Sequence, residues 1–421
     1  MEATLLGLSP VVWIAGALAL DMAWGIGAND VANAMGTSVG SGSLTIRRAI
    51  IVAGVLEFAG AYLAGGHVTD TVRKGILDTS AFAANPELVV YGMLASLASA
   101  ATLLLGATRL GLPVSTTHSI VGAIVGFGAV ARGIDVVNWG KVAQIVASWV
   151  TSPLMGGALA FMIFHLVQRT VLNRRDPMEA AKSAGPFFVF AVFFIIGLVT
   201  MFKGLKHVGL DLDFTQAVLR AGAIAAVAAV VARMVLKRIK PQPQAANGSR
   251  FRDVERVFAI LVIMTASSVA FAHGSNDVAN AVGPLAAIIN VEQGLGLESK
   301  APVAPWMLVV GGIGIVIGLA TLGYRVIETI GKKITELTPS RAFAAELAAA
   351  TTIVLASRLG IPVSTTHILV GSVLGVGLAR GIGALDSRVI GRILMSWVLT
   401  LPIAAALSIF FFYFFKGLLT P

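Results

Sequence analysis

The sequence predicts an all-α membrane protein with about 12 transmembrane helices, arranged as two inverted-topology repeats with broken or re-entrant helices at the centre. Three observations carry this. Of 421 residues, 57% are hydrophobic and only 12% are charged, whereas a soluble domain carries about 25% charged residues and uses them to cover its surface. The apolar residues come in long runs rich in Ala, Leu and Gly without period-two alternation, so the spans are helical. Finally, two polar blocks occur twice. Gly27-Ala-Asn29-Asp30-Val-Ala-Asn33 returns as Gly274-Ser-Asn276-Asp277-Val-Ala-Asn280, and Pro113-Val-Ser115-Thr116-Thr117-His118 returns as Pro362-Val-Ser364-Thr365-Thr366-His367.

The chain reads in order as follows. Residues 1–10 carry no Lys or Arg, so the first apolar segment reads as a permanent span and not a cleaved signal. Further apolar runs cover 154–164, 187–199, 221–232, 307–322 and 403–415. One loop holds Arg169, Arg174, Arg175 and Lys182; another holds Lys237, Arg238, Lys240, Arg250, Arg252 and Arg256. Two apolar segments, 186–202 and 215–236, separate these loops. Both loops therefore share one side, the cytoplasm by the positive-inside rule. Residues 241–249 are a flexible linker by composition. The expected division is a first repeat over 1–170, a linking segment over 171–250 and a second repeat over 251–421. Five, two and five crossings place both termini outside the cytoplasm. The net charge of +10 follows from these loops and does not call for nucleic acid. The absence of cysteine excludes disulfides and thiolate metal sites.

In the first block type, Asn29 and Asn33 stand at i and i+4 and share a helix face, with Asp30 beside them. Asn276, Asp277 and Asn280 repeat the pattern. A carboxylate with amide oxygens is a hard ligand set that suits Na⁺. The glycines around the blocks predict a broken helix whose free carbonyls add ligands.

In the second type, proline disfavours helix before it and is tolerated in a first turn, and Ser or Thr caps the start. Residues 113–117 and 362–366 thus read as helix starts within the membrane. Such a start offers unpaired N–H groups and a positive dipole end. Three hydroxyls add donors at each, so Ser115, Thr116, Thr117, Ser364, Thr365 and Thr366 form a cradle for a tetrahedral oxyanion. No arginine adjoins it; Arg109 and Arg358 read as interfacial. Bound cations would then balance the anion, which is a physical reason for cotransport. Such pairing favours a carrier over a channel, and over an enzyme, since a Ser beside His without an orienting acid is weak nucleophilic machinery. Accessory candidates are Asp21, Glu57 and Glu346, acids in apolar segments, and His118 and His367, which can donate to an anion or carry a proton. Gln144, Ser148 and Ser396 read as packing contacts, and Lys141 and Arg392 as snorkelling residues.

These paired blocks resemble those of the inorganic phosphate transporter (PiT) family, from Trp24 to about Pro402. Ser148-Trp149-Val150 and its echo Ser396-Trp397-Val398 fit the same pattern. The resemblance implies a homodimeric secondary transporter with no cofactor, which imports inorganic phosphate across the plasma membrane by symport with Na⁺. It implies Na⁺ at the Asn-Asp blocks, phosphate at the hydroxyl blocks, and functional glutamates in contexts like Glu57 and Glu346. The family also includes H⁺-coupled phosphate carriers and sulfate carriers; the intact Asn-Asp blocks favour Na⁺.

Overall fold

The computed structural model describes residues 9–66, 76–201, 212–238, 251–295, 303–358 and 363–420. The linker 241–249, Lys203, Lys206 and Asp211 of the short loop, Lys240, Arg250 and Pro362 lie outside the described residues, as does the Arg358 side chain. Thirteen α-helices are described: α1 (Pro10–Gly40), α2 (Ile46–Ala64), α3 (Glu87–Arg109), α4 (Thr116–Arg132), α5 (Trp139–Val167), α6 (Pro177–Val199), α7 (Phe214–Arg238), α8 (Arg252–Glu292), α9 (Pro305–Thr321), α10 (Gly323–Glu328), α11 (Pro339–Arg358), α12 (Thr365–Ala379) and α13 (Ser387–Leu419). Local chemistry sets many starts. Proline opens α1, α6, α9 and α11, where its missing N–H costs nothing. Ser9, Thr45, Asn138, Asp176 and Asp386 cap α1, α2, α5, α6 and α13 through their side chains.

Among the described residues seven helices are long and apolar enough to cross a membrane; the pair α9 and α10, bent by 61°, with its following turn makes an eighth. The protein is a multi-pass membrane protein.

Side-chain and backbone contacts fix the helix directions. Gly25 meets Leu104 and Asn29 bonds Thr108, so α1 and α3 run parallel. Gly314 abuts Leu20 and Ala23, and Gly318 abuts Trp24 and Ala28, so α1 and α9 also run parallel. The glycines are needed here: a Cβ on Gly27 would fall 1.9 Å from the Ile315 carbonyl oxygen, and one on Gly318 1.9 Å from that of Trp24. In the same way α2 runs beside α8, with Gly274 against Glu57 and Gly65 against Val278. Yet α2 opposes α9, since Gly54 meets Val316 while Gly312 meets Phe58 and Ala61. It follows that α1 and α8 are antiparallel. Ser9, at the start of α1, donates to Glu292, at the end of α8, over 2.7 Å.

Two helix pairs form hairpins. Arg132 at the end of α4 bonds Asn85 just before α3, so α3 and α4 form a hairpin with both ends on one face. Arg380, after α12, bonds Thr335 and Glu336 just before α11, so α11 and α12 form a second hairpin. Glu255 near the start of α8 bonds Ser340 at the start of α11. The first hairpin enters from the face where α1 starts, the second from the face where α8 starts. The helix starts at their tips, Thr116–His118 and Thr365–His367, meet inside.

One expectation is corrected here. The Asn-Asp blocks do not break their helices: α1 runs unbroken for 31 residues and α8 for 41, through Pro284. The glycines serve close helix contact rather than unwinding. The breaks fall at the hydroxyl blocks.

Candidate functional site

Each hydroxyl block is a helix start at a hairpin tip. Ser115 caps α4 by accepting from the His118 N–H at 3.3 Å, and Ser364 caps α12 by accepting from His367 N–H at 3.3 Å. Apart from Thr117, which is half-buried, the six hydroxyl residues are buried. Capping aims the first-turn N–H groups and the positive dipole end into the protein interior.

The Asn-Asp blocks lie against these starts. Thr116 donates to Asp30 Oδ2 at 3.0 Å, and Thr365 donates to Asp277 Oδ2 at 3.4 Å. The halves also interlock. Asn33 of the first block donates to Thr366 at 2.8 Å, and Asn280 of the second donates to Thr116 at 3.3 Å. Asn29 braces the first tip: its Nδ2 donates to Thr108 Oγ1 and the Leu112 carbonyl, both at 3.0 Å, and its Oδ1 accepts from the Val114 N–H at 3.1 Å. Asn276 donates to Asp277 Oδ1 at 2.8 Å. Asp30 Oδ1 and Asn33 Oδ1 are buried acceptors with no donor, the arrangement a cation ligand needs.

Sequence reasoning missed His273. On α8 its Nε2 sits 2.8 Å from Asp277 Oδ2 and 3.9 Å from Asp30 Oδ2, and its Nδ1 sits 3.3 Å from Glu57 Oε1. All four residues are at most 1% exposed. Asp30, His273 and Asp277 each offer an atom within 4.8 Å of the others, a set able to hold a metal ion. The repeat hid this residue, because its counterpart at the same offset is Ile26. Its i, i+4 spacing to Asp277 was the available signal.

The accessory candidates separate. Glu57 joins the cluster through His273. Glu346 has its own setting on α11, where Thr37, Ser38 and Thr265 donate to its carboxylate, Ser38 at 2.9 Å. Asp21 is exposed on α1, nine residues before Asp30, and does not reach the site. His118 and His367 meet each other, with ring centroids 4.3 Å apart, and face tryptophans rather than carboxylates. Ser148 and Ser396 donate to carbonyls one turn back, as packing residues do.

Long apolar helices packed about two opposed hairpins, with acids and helix starts converging inside, define a helical membrane transporter. Residues 26–408 match the phosphate transporter family. A Haemophilus influenzae protein named as a phosphate permease is 46% identical over 404 residues, 96% of each chain. The chloroplastic inorganic phosphate transporter 2-1 of Arabidopsis thaliana is 42% identical over 95% of this chain and 71% of its own length. A solved structure described as the sodium-dependent phosphate transporter superposes with a TM-score of 0.88 at 41% identity, over 97% of this chain and all of that one. The chain belongs to the phosphate transporter family.

Proposed function

We propose that the protein imports inorganic phosphate across the plasma membrane by symport with Na⁺, as a homodimer whose termini lie outside the cytoplasm. In this reading residues 1–170 and 251–421 are inverted repeats joined by 171–250; the antiparallel course of α1 and α8 and the opposed hairpins support it. Phosphate lies between the two helix starts, held by Ser115, Thr116, Thr117, Ser364, Thr365 and Thr366. Na⁺ ions lie against Asp30, Asn33, Asp277 and Asn280, while Asn29 and Asn276 hold the tips and carboxylates in place.

The observation that carries Na⁺ coupling is a charge imbalance. Asp30, Asp277 and Glu57 are buried acids that all face one imidazole, that of His273. Three carboxylates gathered about one imidazole out of water are costly without cations. An arriving oxyanion adds to that deficit, so cation and anion binding favour each other. The sodium-dependent name of the structural relative points the same way.

His273 also favours a second reading, H⁺-coupled phosphate or sulfate symport. Purified protein in liposomes separates the two. The first reading expects phosphate uptake that needs an inward Na⁺ gradient and resists excess sulfate. Uptake that is equal in K⁺ and abolished by a proton uncoupler selects H⁺; displacement of phosphate by equimolar sulfate selects the sulfate carrier.

A further inference from the structure

The duplicated Ser-Trp-Val segments and the histidines that close the hydroxyl blocks meet in one column of four rings. Trp149 of α5 stacks on His118 with centroids 3.5 Å apart, and Trp397 of α13 stacks on His367 at the same 3.5 Å. Between them the two histidines meet edge to face at 4.3 Å. Each half contributes one histidine and one tryptophan, so the stacking is symmetric.

The hydrogen bonding is not. His367 donates from Nδ1 to the Trp149 carbonyl at 3.2 Å, across the halves. The mirror bond would run from His118 to the Trp397 carbonyl, yet both His118 ring nitrogens are buried without a partner. An unmet buried donor costs about 1–3 kcal/mol. A column of paired rings that satisfies only one of two corresponding bonds has a second arrangement open to it, in which the roles exchange.

We propose that this column is a two-position latch between each hairpin and the long helix of the other half: the bond from His367 to Trp149 holds the described state, and a bond from His118 to Trp397 holds its mirror. The latch rests on the inverted-repeat reading above. His118 and His367 stand three residues beyond Ser115 and Ser364, so exchanging the bond moves one helix start relative to the other. Two positions held by one bond each suit a carrier, which must visit both without being trapped in either.

Phenylalanine preserves ring stacking but can make neither bond. The test reads the chemical labelling of Thr335→Cys, introduced into a chain with no cysteine of its own. Thr335 lies where the second hairpin ends, within 3.3 Å of Arg380, and lines a 660 Å³ cavity with Gly40 and Arg388. His367→Phe is expected to shift the ratio of the two positions by about five-fold, the factor set by one hydrogen bond of about 1 kcal/mol, and the labelling rate by about two- to three-fold. Adding His118→Phe is expected to restore the parent rate, because both positions then lose their bond. A purely structural role predicts the opposite, a double variant displaced at least as far as the single one. That result, or an unchanged rate in His367→Phe, overturns the latch; size-exclusion profiles matching the parent establish that the variants fold. Labelling needs no phosphate, so the two readings fail separately. A parent that takes up no phosphate but shows the shift and its reversal overturns the substrate reading alone.

Discussion

Thr116 donates its hydroxyl to Asp30 Oδ2 over 3.0 Å and accepts from Asn280 of the other half at 3.3 Å. One side chain therefore touches the proposed anion cradle, a proposed cation ligand and both halves. Thr116→Val keeps the shape and removes the hydroxyl. The expected outcome is that phosphate becomes a weaker function of Na⁺: the half-saturating phosphate concentration rises about five-fold at high Na⁺, the worth of about 1 kcal/mol, and its dependence on Na⁺ flattens. Uptake measured across a grid of the two concentrations checks this.

Asp30→Asn and Asp277→Asn each remove one charge from a site where cations offset buried carboxylates. Each is expected to raise the Na⁺ concentration for half-maximal uptake by about ten-fold or more, while melting in detergent shifts little. Steep Na⁺ activation retained in both would take these residues out of the cation sites.

The two serine caps act on the cradle through the backbone. Ser115→Ala combined with Ser364→Ala removes a cap worth about 1 kcal/mol from each start. Phosphate affinity is expected to fall while the Na⁺ response remains, as read by equilibrium binding of labelled phosphate.

Glu346 accepts from three hydroxyls, on Thr37, Ser38 and Thr265. Glu346→Ala strands these donors and opens a void, with an expected loss of about 3 kcal/mol or more. Glu346→Gln retains an acceptor and is expected to lose less. Thermal unfolding of the two variants beside the parent tests the order.

The duplicated blocks made much of this legible before any coordinates. Pro113 and Ser115 marked an intramembrane helix start because proline and hydroxyl caps act locally, and α4 begins at Thr116. The crossings of α6 and α7 followed from basic loops at either end. The course of α1 was harder. Glycines at 25, 27, 36 and 40 signal either an unwound helix or a close neighbour, and sequence alone cannot separate these. Gly25 meets Leu104 of α3, whereas the neighbours of Gly27, Gly36 and Gly40 are Ile315, Ile330 and Gly331, almost 300 residues away. Asn29 shows the same limit: its face was readable, but its partners Thr108, Leu112 and Val114 were not. His273 escaped because attention to what recurs passes over what one half has alone.

At the α1–α9 seam no side chain separates Gly27 from Ile315, or Gly318 from Trp24. Backbones in such intimate contact work as a keyed joint. Sliding would drive carbonyl oxygens into neighbouring main chain, and prising them apart would open a gap no lipid tail fills well. These two helices therefore hold one position relative to each other, and any movement in the cycle carries both together or leaves both in place.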